Sequence, residues 1–213
     1  MSSHVSTDDD GATMRSGEAA AAFERRREPA EELVGHAAAI VDAAFAMAVR
    51  FARGGKLLTF GIGPASADAQ HVAVEFVHPV IVGKRALPAL SLTSDIATIT
   101  GIAATSGLDE IFAHQIRKLA GSDDIALGIC AGPGADSVRR GLIAATQAGL
   151  LTIALTSGAG DAGPVAAEHV LMARSADPCV VKELHVTIYH LLWELVHVFF
   201  EQPSVLRGGT ARL

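Results

Sequence analysis

Residues 56–77 read KLLTFGIGPASADAQHVAVEFV, and the reading of this stretch decides the fold class. Residues 56–60 are a short β-type run that ends in Gly61-Ile62-Gly63-Pro64. From Ser66 the apolar residues recur at helical spacing, with Ser66 expected as the N-cap and Asp68 in the first turn. Strand, glycine turn and helix make one βα unit. Two glycines ahead of a helix can cradle an anion, because free N–H groups and the helix dipole favour negative charge there. The third glycine of a dinucleotide-binding loop is absent, since Ser66 stands in its place, and no Gly-Lys-Ser/Thr follows. On spacing alone a plain tight turn explains the glycines slightly better, and Pro64 removes one donor from the loop.

Further along the chain the unit repeats. Residues 87–92 are strand-like and lead through Ser94-Asp95 into a helical segment. Residues 125–130 lead through Gly132-Pro133-Gly134 into a helix over 136–148. Residues 151–156 lead into Ser157-Gly158-Ala159-Gly160, and 170–173 make a fifth, short strand. These runs are apolar and nearly non-alternating, which predicts a parallel sheet covered by helices on both faces. Ligands of such sheets bind beyond the carboxyl ends of the strands, where the glycine turns fall. Ahead of the first strand, residues 18–27 suggest a short helix stopped by Pro29, and 29–53 a longer one closed by Gly54-Gly55. Residues 177–201 make the last long amphipathic helix. The expected organisation is one domain over 18–202, between a polar tail of residues 1–17 and a fraying tail from 203.

The 213 residues are 50% hydrophobic, 19% charged and only 5% aromatic, with a mean hydropathy of +0.36. That excludes a disordered or fibrous chain. The length supports a core without disulfides or a structural metal. The formal net charge is −6 and the longest basic run is Arg25-Arg26-Arg27, so no nucleic-acid partner is expected. The two cysteines, Cys130 and Cys179, form no CxxC pair. The first residues are polar and acidic, unlike a signal peptide, and His, Glu or Gly interrupts each long apolar stretch. A soluble, cytoplasmic protein with no membrane contact is expected.

Nine histidines are many for this length. His71 and Glu75 lie four residues apart on a predicted helix and so share a face. In the last helix Lys182, Glu183, His185, His190, Glu194 and His197 interrupt an apolar frame. A His/Glu pair on one helix facing a His on another can hold zinc with an open position, or do acid–base work without metal. An exposed polar stripe, or a set of interface histidines, explains the same residues about equally well.

The run GIGPASADAQHVAVEF resembles GNGGSAADAQHFAAEL, the signature of the phosphoheptose (sedoheptulose 7-phosphate) isomerases and their sugar isomerase (SIS) domain relatives. The resemblance continues through SLTSDIATITGIAATSGLDEIFAHQI and ALGICAGPGADSVRRGLIAATQAGLLTIALTSGAG. It ends in VVKELHVTIYHLLWELV, against RIQEVHLLILHALCELV in the family. It implies an α/β fold with a doubly wound, five-stranded parallel sheet of the flavodoxin-like kind, preceded by a helical segment. It also implies a homotetramer, or at least a dimer, with sites where subunits meet, and a sugar or sugar-phosphate ligand. The reaction it implies is ketose–aldose interconversion, with Glu75 as base and His190 as acid–base partner. His71, Glu75 and His190 would be three of four zinc ligands. Gly61, Gly63, Ser66, Asp95, Cys130, Gly132, Gly134 and Lys182 fall at substrate-binding positions.

The departures from that pattern fall on the binding loops. Ile62 and Ala65 replace Asn and Ser of the first loop, with Ser66 one residue late. The second loop, STSGNS in the family, reads Cys130-Ala131-Gly132-Pro133-Gly134-Ala135 here and has lost every hydroxyl. Each hydrogen bond to an ionised phosphate is worth about 1.5–3 kcal/mol, so ordinary phosphosugar binding is expected to weaken by orders of magnitude. Lys182 stands where the family has a zinc-ligating Gln, and an ammonium has no lone pair to give. Two readings follow. One is an isomerase-like protein with an altered carbohydrate ligand, in which Lys182 stabilises the enediolate or contacts an acidic group. The alternative is a non-catalytic scaffold, regulatory or assembly protein on the same fold.

Overall fold

Five apolar runs become strands: β1 (Leu57–Gly61), β2 (Ala89–Ser91), β3 (Ile125–Cys130), β4 (Leu151–Ser157) and β5 (His169–Ala173). The computed structural model describes residues 7–130, 135–157 and 165–210. The strands pair in parallel in the order β2-β1-β3-β4-β5, so the winding reverses between β1 and β3. β1 and β3 are buried along their whole length, as their largely apolar runs require.

Helices cover both faces. On one side α2 (Ala37–Ala52), α3 (Pro64–Val77) and α7 (Pro178–Phe200) pack on Leu57, Ile125, Leu127, Ile153 and Leu155. On the other, α4 (Ile96–Ser106), α5 (Ile111–Leu119) and α6 (Asp136–Gln147) pack on Leu58, Phe60, Ala126 and Ala154. The period of two along each strand sends neighbours to opposite faces, so both cores come from one sheet. The α/β doubly wound architecture is the expected one.

The ends differ from expectation. A single helix, α1 (Thr7–Val34), runs straight through Pro29, where a stop was predicted. Pro29 leaves the carbonyl of exposed Arg25 to solvent, which costs little at a surface. Two side-chain bonds of Arg26 to Glu183, at 2.7 and 2.8 Å, hold α1 on α7. The break comes instead at Gly35-His36, where α1 and α2 meet at 62°. Past α7, residues expected to fray form α8 (Pro203–Thr210). Among the described residues no single helix is long and apolar enough to cross a membrane.

Asp124 ties the entries of β1 and β3 together. Its carboxylate accepts from the Lys56 backbone N–H at 2.9 Å and the Gly121 N–H at 2.8 Å, and it pairs with the Lys56 ammonium. Burial alone would push this carboxyl up, but the three donors win and hold it below the usual range. Its stabilisation is therefore complete above the unfolded value, about 3.9, and is lost as pH falls through the depressed folded value. Asp124→Asn is expected to cost about 2–3 kcal/mol in urea titrations at pH 7. The same variant should lose less stability than wild type on acidification below pH 4.

Candidate active site

The first glycine turn is set by steric constraint. A Cβ at Gly61 would lie 2.7 Å from the carbonyl oxygen of Ala65, and Gly63 sits at φ 59° as N-cap of α3. The helix starts at Pro64, so Ser66 is not the cap that the sequence suggested. Its hydroxyl turns back to donate to the Gly63 carbonyl at 2.7 Å.

From there α3 and α7 climb side by side in the same direction, joined by three polar rungs. The Lys182 ammonium meets both oxygens of Asp68, at 2.7 and 2.6 Å. One level up, the Tyr189 hydroxyl lies 2.8 Å from Nδ1 of His71. Higher still, the Trp193 indole N–H donates to the Glu75 carbonyl at 2.8 Å. At the middle level His71 Nε2 is 3.2 Å from Glu75 Oε1, and the His190 ring stands edge-on to His71 with centroids 5.2 Å apart. One donor atom from each of His71, Glu75 and His190 lies within 4.8 Å of the others. Glu75 is mostly covered, His71 is half-exposed and His190 is exposed, so the cluster opens on the surface.

Two imidazoles and a carboxylate suit zinc, and three protein ligands leave one position open. The Lys182 ammonium cannot be the fourth ligand. It is engaged by Asp68, whose negative charge offsets the repulsion it would exert on a dication. The residues present therefore fit a three-ligand site.

The other residues singled out in the sequence fall elsewhere. Asp95 is exposed and caps α4, accepting from the Thr98 N–H at 3.1 Å and the Thr98 hydroxyl at 2.6 Å; these bonds hold its carboxyl below the usual range. Cys130 is fully buried in the second core, because the even positions of β3 face α6. Gly132 and Gly134 lie outside the described residues. His185 and His197 are buried against the carbonyls of Thr156 and Arg85, at 3.0 Å each. Burial pushes the His185 imidazole down. Glu183 is taken by Arg26, and Glu194 stays exposed.

Sequence reasoning passed over Tyr189, which sits in an apolar frame where the family pattern carries Leu, and read Asp68 only as a helix-dipole residue. It also stopped at the second loop. Just past that loop, Ser137 Oγ, Arg139 Nε and Thr156 Oγ1 are buried with no hydrogen-bond partner among the described residues. They flank the carboxyl ends of β3 and β4. His71 and Glu75 lie in the second half of α3, and Glu75 is about 16 Å along the axis from Pro64. One chain assembles the His/Glu cluster but leaves Glu75 most of a helix length from the first glycine turn.

Burial pushes the Cys130 thiol up to about 12, whereas Cys179 is exposed. At pH 8 a thiol-alkylating reagent is expected to modify Cys179 and spare Cys130 until denaturant is added. Mass spectrometry of the labelled protein checks this.

Comparison with known proteins agrees with this fold. The profile described as the SIS domain matches residues 23–157. The phosphoheptose isomerase of Solidesulfovibrio magneticus is 40% identical over 167 residues, covering 78% of this chain and 81% of that one. That of Aquifex aeolicus is 36% identical over 161 residues, covering 76% and 84%. Among solved structures, a phosphoheptose isomerase from Francisella tularensis superposes with a TM-score of 0.79 at 29% identity, over 85% of this chain and 97% of that one. The one from Neisseria gonorrhoeae gives 0.76 at 27%, with the same coverage. These relatives do not favour the non-catalytic scaffold. With its five-stranded sheet and its resemblance across most of the chain, the protein belongs to the SIS-domain family and is phosphoheptose isomerase-like.

Proposed function

We propose that the chain is a cytoplasmic, homotetrameric isomerase that interconverts the ketose and aldose forms of a sugar phosphate. A seven-carbon sugar such as sedoheptulose 7-phosphate is the first candidate, by kinship with the named relatives. The observation that carries the reading is the convergence of His71, Glu75 and His190 within 4.8 Å.

The reaction removes a proton from the carbon next to a carbonyl and returns it to the neighbouring carbon, through an enediolate. Glu75 Oε2 makes no hydrogen bond among the described residues, so it is the base that carries that proton. His190 is exposed, and its ring nitrogens have no hydrogen-bond partner among the described residues, so one nitrogen can move protons on the two sugar oxygens. His71, Glu75 and His190 would hold zinc, which when bound supplies Lewis-acid stabilisation of the enediolate oxygens.

The anionic end of the sugar needs donors that the second loop has lost. Ser137 and Arg139 in the first turn of α6, and Thr156 near the end of β4, offer buried polar atoms with no hydrogen-bond partner among the described residues. The His/Glu cluster opens on the surface, which suits a site completed by a second copy. Val80, Ile81 and Val82, exposed at 71%, 50% and 100%, follow α3 and offer an apolar surface for that contact.

Glu75→Gln is expected to lower kcat about 10²–10⁴-fold on sedoheptulose 7-phosphate with the fold intact. Turnover by that variant equal to wild type would sink the proposal. Arg139→Ala is expected to raise KM about tenfold or more with kcat little changed, as loss of a charge-assisted bond worth about 1.5–3 kcal/mol implies. A fall in kcat at constant KM would place Arg139 outside the binding site.

A further inference from the structure

We infer that Tyr189 is the positioning residue of the cluster: through Nδ1 of His71 it fixes the imidazole so that Nε2 is the atom presented to Glu75 and His190. Tyr189 is only 1% exposed, and its hydroxyl lies 2.8 Å from that nitrogen. Its ring also stands edge-on to both histidines, with centroids 5.4 Å from His71 and 5.0 Å from His190. One buried side chain therefore orients two of the three donor groups. His71 itself is 41% exposed, and of its two side-chain hydrogen bonds the one to buried Tyr189, at 2.8 Å, is shorter than the one to Glu75, at 3.2 Å.

The chemistry of the partner matters as much as its position. A carboxylate only accepts hydrogen bonds, so facing Glu75 the neutral, metal-free imidazole carries its proton on Nε2. Nδ1 then needs a donor, and the hydroxyl supplies one. When a dication takes the Nε2 lone pair, the imidazole proton sits on Nδ1 and needs an acceptor. The same hydroxyl supplies that too. A backbone carbonyl or a carboxylate in its place would serve the loaded state alone. Tyr189 thus lets His71 serve both as hydrogen-bond donor to Glu75 and as metal ligand without a change of ring orientation.

This inference rests on the donor set of the proposed site but not on the reaction, and its test needs no turnover. Imidazole nitrogen NMR of the metal-free wild type at pH 8 is expected to show His71 as the Nε2–H tautomer. Zinc should convert it to Nδ1–H. Tyr189→Phe keeps the ring packing and removes only the hydroxyl. It is expected to leave thermal stability nearly unchanged, to mix the two His71 tautomers, and to weaken zinc binding about 10–100-fold in competition with a chromophoric chelator. An Nδ1–H tautomer in the metal-free wild type would overturn the inference, and so would zinc affinity in Tyr189→Phe within twofold of wild type. Failure of the wild type to bind zinc at all would overturn the metal half. Absence of isomerase activity alongside the expected tautomers would instead count against the proposed function only.

Discussion

A parallel sheet buried on both faces can carry almost no charge, and the chemistry of this protein is placed by that constraint. Within β1 and β4 the polar side chains are hydroxyls satisfied close by, as when Thr59 donates to the Ala69 carbonyl at 2.6 Å and Thr152 accepts from the Glu168 N–H at 2.9 Å. Thr156 is the exception, and it lies at a strand end. Every carboxylate, ammonium and imidazole that could act on a substrate is displaced to strand ends or to the seams between helices. The α3–α7 seam takes the largest share.

That seam works because the two helices run in step. Asp68, His71 and Glu75 recur at helical spacing along one face of α3, and Lys182, Tyr189 and Trp193 meet them at successive levels of α7. Each rung satisfies a polar group that packing would otherwise leave half-buried and unpaired. The rungs above and below fix the spacing of the middle one, where His71, Glu75 and His190 converge. Below the seam, the tight contact at Gly61 brings α3 back against the sheet and so sets its height.

Much of this was readable in the residues. Largely apolar, nearly non-alternating runs over 125–130 and 151–156 have few folds open to them other than a covered parallel sheet, and four-residue spacing put His71 and Glu75 on one face. The meeting of His190 with that pair came from family resemblance, because no local pattern says which helices will be neighbours. Other features depended on long-range contacts and were missed. Pro29 reads as a helix stop, yet the ion pair of Arg26 with Glu183, 157 residues away, holds the helix on its support. Ser66 reads as a cap, but Gly63 with its positive φ takes that place. Tyr189 looks like core until a partner on α3 gives its hydroxyl a purpose.

The lowest rung has a consequence for how this protein can change. Asp68 is nearly buried, with a side chain 10% exposed, and Lys182 is its only counter-charge among the described residues. A neutral residue at 182 would leave that carboxylate without a counter-charge at the helix seam, while a neutral residue at 68 would release a cation one level below His71, Glu75 and His190. With Asp at 68, the charge at the foot of the seam is therefore set by position 182: zero with Lys, one negative with a neutral side chain.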